Sequence, residues 1–178
     1  MAWTAPMTAV SGIVWTSAQF NAHIRDNLLE TMPGKATAAN RMFVSNGMNS
    51  IAERVPTQTT VATSQATTST TYTNLTTTGP TVTVTTGTKA LAWFGAEMSH
   101  SSNNEASTSV EVSGASSVSA SDNWRCMQSG TTSGNANRFL VCHLFTGLNP
   151  GSNVFTMKYR TNSGTGTFAN RDLIVLPL

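Results

Sequence analysis

The sequence predicts a mainly β protein, an antiparallel β-sandwich of jelly-roll type, preceded by an extended N-terminal arm that carries one α-helix and a small hairpin. Three observations predict it. Short apolar or alternating runs recur at intervals of about 10 to 15 residues in the second half of the chain. Gly, Asn and Pro punctuate those runs. Only one segment, close to the N-terminus, has helical periodicity. Many short strands with no second helix leave a sheet nothing to pack on but another sheet.

The arm comes first. Residues 1–15, MAWTAPMTAVSGIVW, have neither a 3.6 nor a 2.0 period, and Pro6 and Gly12 interrupt the bulky positions. Such a segment is expected to place Trp3, Met7, Val10, Ile13 and Trp15 into the surface of a neighbour; folding back onto its own domain is the alternative. A helix over about 17–31 follows. Thr16 is a good N-cap and Gln19 completes a capping box, while Trp15 and Phe20 stand where a hydrophobic staple needs them. Phe20, Ile24 and Leu28 recur at i, i+4 and i+8 as one narrow apolar stripe, and Pro33-Gly34 supplies the stop. A stripe this narrow suits docking on one partner surface rather than the centre of a core. A hairpin over about 41–52 comes next, with Asn46-Gly47 between short apolar runs as its turn. Residues 1–56 are thus read as an attachment arm and 57–178 as the sandwich.

From Thr57 to Thr88 there are 17 Thr and no charged residue. The bland reading is a flexible stalk, but Thr81–Thr86 (TVTVTT) alternates as a half-buried strand does, and Gly79-Pro80 and Gly87 provide turns. Further strands are expected at 89–99, 106–114, 123–129, 137–145, 153–161 and 167–177, with Asn149–Ser152 a turn. The run KALAWFGAEMS reads as a central strand. In the last strand Leu173, Val175 and Pro177 share one face and Ile174 and Leu176 the other.

Composition narrows the function. The 178 residues hold 30 Thr, 20 Ser and 15 Asn but only 10 Lys+Arg and 8 Asp+Glu. No apolar run is long enough to span a membrane, no export signal opens the chain, and the scattered cations cannot neutralise adjacent phosphates, so neither membrane nor nucleic acid is an expected partner. Carboxylate pairs, a Ser-His-Asp set and metal-ligand spacing are all missing, so no enzyme, cofactor or metal is expected. Gly164–Thr167 lacks the third glycine and following helix of a phosphate loop, and Cys142 and His143, adjacent in a strand, point to opposite faces. Cys126 and Cys142 are read as separate thiols, with one disulfide as the alternative. Trp124, flanked by Asp122, Asn123 and Arg125, and Tyr159 are the candidates for stacking on a glycan.

Two stretches carry a resemblance. The opening AWTAPMTAVSGIVWTSAQFNAHIRDNLLETMP, with KATAANRMFVSNGMNSIAERVP after it, is similar to the N-terminal region of virion structural proteins of tailed bacteriophages, especially those of actinobacterial hosts. The closing TGLNPGSNVFTMKYRTNSGTGTFANRDLIVLPL resembles the last strands of the small β-sandwich that follows in many of them. These proteins include capsid decoration (minor capsid), head-fibre and minor tail proteins. The resemblance implies a non-enzymatic virion component on the particle's outer surface, assembled in the host cytoplasm. Its arm would hold the major capsid protein or another virion protein, and a homotrimer is the expected form. The alternatives are a minor tail or tail-fibre component touching the host, and a carbohydrate-binding module for a host-surface glycan.

Overall fold

The computed structural model describes residues 4–5, 7–8, 10–31, 35–48, 50–129 and 135–178. The chain forms two compact units, Met1–Val55 and Pro56–Leu178.

In the first unit a helix runs in three consecutive pieces: an α-helical turn at Ser17–Phe20, a π-helical turn at Asn21–Arg25 and a second α-helical turn at Asp26–Leu29. The start is built as the sequence requires. Thr16 Oγ1 accepts from the Gln19 amide, and the Gln19 side chain accepts from the Thr16 amide. The Trp15 and Phe20 rings meet edge to face at 6.4 Å. The π turn departs from the uniform α-helix expected over about 17–31, and the helix closes at Leu29. Asn27 donates from its side chain to the His23 carbonyl, a local side-chain bond of the kind that competes with the backbone ladder. The stop signal Pro33-Gly34 lies outside the described residues.

The hairpin joins β1 (Met42–Gly47) to β2 (Ser50–Arg54). Its turn is not at Asn46-Gly47. Gly47 already pairs with Ser50, so the chain reverses after it, and the register slips between Ser45 and Gly47. Asn46 is the extra residue of a β-bulge, which the dipeptide signal could not distinguish from a turn.

The second unit is an antiparallel sandwich. One sheet has the order β5-β10-β7-β8, made of Thr81–Thr86, Gly151–Thr161, Ala106–Gly114 and Cys126–Gln128. The other is β3-β11-β6-β9, made of Thr57–Val61, Gly166–Pro177, Lys89–His100 and Asn137–Thr146, with the short β4 (Gln65–Thr67) also on β11. Inward positions alternate on every long strand. Val82, Val110, Val112, Phe155, Met157 and Tyr159 from the first sheet meet Ala92, Phe94, Met98, Phe168, Leu173 and Val175 from the second, all buried. Each such side chain contributes about 1.5–3 kcal/mol by leaving water.

Two local departures matter. The expected strand 123–129 is only Cys126–Gln128. Ser121 Oγ accepts from the Asn123 amide and caps a 3-10 turn over Asp122–Trp124 instead. In β11, Asn170 adopts φ +46°, and Asn170 and Arg171 together oppose one residue of β6. This bulge moves the inward phase from Phe168 to Arg171, Leu173 and Val175.

Candidate attachment and binding surfaces

In the first unit, the segment before the helix is tied down by polar side chains of the helix. The buried Asn27 amide accepts from the Thr4 amide and donates to the Thr4 carbonyl, both at 2.9 Å. The His23 ring meets the Ala5 carbonyl at 3.1 Å. The arm's beginning therefore folds back on its own helix, the alternative that the sequence left open. The apolar stripe is not covered by this clasp: Phe20, Ile24 and Leu28 are 51%, 37% and 62% exposed. Val10, Ile13 and Trp15 are exposed as well, and Met7 is half-buried. Trp3 lies outside the described residues.

The two glycan candidates fare differently. Tyr159 is fully buried, its ring 4.9 Å from Phe168 and its hydroxyl donating to the Gly79 carbonyl, so it presents no face to a sugar; this corrects the sequence expectation. Its inward place follows from the alternation of β10, in which Phe155, Met157 and Tyr159 share a side. Trp124 is half-buried. One face stacks on His143 at 4.9 Å and its Nε1 donates to the Val110 carbonyl, so the groups a sugar would use are largely taken.

Sequence reasoning missed a polar cluster outside the β5-β10-β7-β8 sheet. Arg160 donates to both oxygens of Asp122 and, at 2.8 Å, to Glu105, which also accepts from Arg125. Tyr72 donates to Asp122 at 2.8 Å, and the Arg160 guanidinium lies 5.5 Å from the Tyr72 ring centre. Burial pushes the Tyr72 hydroxyl pKa well above its ordinary value, and the bond to Asp122 adds to this. Burial alone would raise the Asp122 carboxyl, but bonds from Tyr72 and Arg160 and the charges of Arg160 and Arg125 outweigh it and hold it low. Beside the cluster is a depression of about 360 Å³ lined by Thr70, Thr71, Tyr72, Ala120, Ser121, Asp122 and Arg160. Its members come from four separate stretches of chain. The one legible signal was that Lys158 and Arg160 point outward from β10.

Chemically the cluster can hold a shape and offer hydroxyls. Its acids are consumed by its bases, leaving no paired carboxylates and no base beside a nucleophile. Among the described residues no group of three His, Cys, Asp or Glu is placed to hold a metal ion, and no helix is long and apolar enough to cross a membrane. Cys126 and Cys142 are separate thiols, the first buried with its pKa pushed up to about 11 by that burial, the second exposed.

No protein-family profile matches the chain, and no curated protein matches it. Among solved structures, one described as the structure of Eiger TNF from S. frugiperda is similar in fold, with a TM-score of 0.45 and 10% identity, over 70% of this chain and 92% of that one.

Proposed function

We propose that this chain is a bacteriophage virion structural protein, a capsid decoration or head-fibre protein that attaches through residues 1–56, displays the sandwich outward and assembles as a homotrimer. The observation that carries the attachment is the exposed stripe Phe20, Ile24 and Leu28 on a helix that is capped, stapled and clasped at its beginning. A helix so fixed is ready to bury that stripe on the major capsid protein or another virion protein. Each anchor would contribute about 1.5–3 kcal/mol on burial. Three linked copies would hold far more tightly than one. The resemblance of the opening and closing stretches to phage structural proteins supports the same reading. Particles assembled with protein lacking residues 1–34 should lose it from their surface; wild-type occupancy of that variant would overturn the proposal.

A minor tail or tail-fibre component is the second reading, favoured by the polar depression at Tyr72, Asp122 and Arg160, whose hydroxyls and charges suit a host-surface glycan. Counting copies per particle separates the two, hundreds for the capsid and a handful for the tail. A glycan array without signal above background would remove the glycan.

A further inference from the structure

Of the two outer faces of the sandwich, one is polar and the other is not. Outside β5-β10-β7-β8 lie Thr83, Thr85, Glu111, Lys158 and Arg160. Outside β3-β11-β6-β9, three cross-strand rows form a block on β11, β6 and β9. The first is Leu176, Leu91 and Leu144, the second Ile174, Trp93 and Cys142, the third Asp172, Gly95 and Leu140. They point away from the core because their neighbours Ala92, Phe94, Leu173, Val175 and Phe145 are the buried ones. Leu140 and Leu144 are 57% and 44% exposed.

We infer that this block is the face through which copies of this chain associate. Its middle carries no charge, and Asp172 at its border is paired with Arg138. A charged partner would find no counter-charge there, whereas another copy brings an equally uncharged surface and no like charge against it. β9 is the edge strand of the sheet, so Phe139, Leu140 and Leu144, each at least 42% exposed, make a ridge along the block's border. A ridge on one copy resting on the block of the next is a heterologous contact, which closes into a ring about an axis. Aromatic and aliphatic side chains freed of water at the centre of such a contact carry most of its binding energy.

The inference rests on the self-association proposed above and not on attachment to a virion, so particle occupancy and the following experiment fail separately. Full-length protein at micromolar concentration should show three times the chain mass by light scattering. Leu140→Lys with Leu144→Lys should reduce it to one. Cys142, in the middle of the block, should react with a maleimide at least an order of magnitude more slowly in wild-type protein than in that variant. Cys126, buried in the core, should stay unreactive in both, which reports that the variant is folded; if it is not, Leu144→Thr alone should still shift the mass towards one chain. A monomeric wild type overturns the inference, including one with Cys142 protected, which would mean cover by the same chain. So does a folded variant that stays trimeric.

Discussion

Arg171 sits fully buried without an acid. Its guanidinium donates to the carbonyls of Thr77 and Gly79 at 3.2 Å and to the Thr63 carbonyl and Gln65 Oε1 at 3.4 and 3.3 Å, and it lies 5.4 Å from the Tyr159 ring centre. One cation thus satisfies backbone acceptors of the Thr-rich stretch between β3 and β5, which has few strand partners of its own. Truncation leaves those acceptors without their donor, each costing about 1–3 kcal/mol if it stays dry. Arg171→Ala should therefore lower the urea midpoint by the equivalent of several kcal/mol, and a shift under about 1 kcal/mol would show that water replaces the side chain. Nothing in the sequence marked Arg171 as a core residue. In a strictly alternating strand Asn170 and Arg171 would take opposite sides and Arg171 would share the outward side with Ala169; the bulge reverses it, and bulges have no reliable single-sequence signature outside glycine.

Among the elements, the long strands were the most legible, because a strand buried on one side imposes its period on the sequence. Val82 and Val84 inward with Thr83 and Thr85 outward is that period in its plainest form. The capping box and staple of the helix were legible for the same reason, being local chemistry at fixed spacing. The hairpin turn, the 3-10 turn before β8 and the polar cluster at Asp122 were not. Each depends on which neighbours the fold brings up, as Tyr72 and Arg160 meet Asp122 across the sheet surface. At Gly95 the pairing of β6 with β9 leaves no room for a side chain: a Cβ there would overlap the backbone of Phe139 and Leu140. Gly95→Ala should push β9 away and cost about 1–3 kcal/mol or more, read as a lower thermal midpoint together with faster exchange of the β9 amides. An unchanged midpoint would mean that the edge strand yields without loss.

At the scale of the molecule the two units differ in how they are held. Up to Val55 the only buried residue among those described is Asn27, whereas the sandwich buries a continuous apolar core. The first unit therefore has little apolar burial of its own to resist opening. In hydrogen exchange on the free protein, amides of the helix and of β1 and β2 should exchange orders of magnitude faster than those of β6 and β10, and should slow on attachment to a partner. Equal protection in the free protein would refute this. The hydroxyl-rich strands have a colloidal consequence. Threonines such as Thr83 and Thr85, facing outward from β5, keep that surface wetted without any group to titrate or any charge for salt to screen. Across that stretch the hydration of the surface is indifferent to acidity and ionic strength, leaving the few charged side chains elsewhere to set how the protein responds to either.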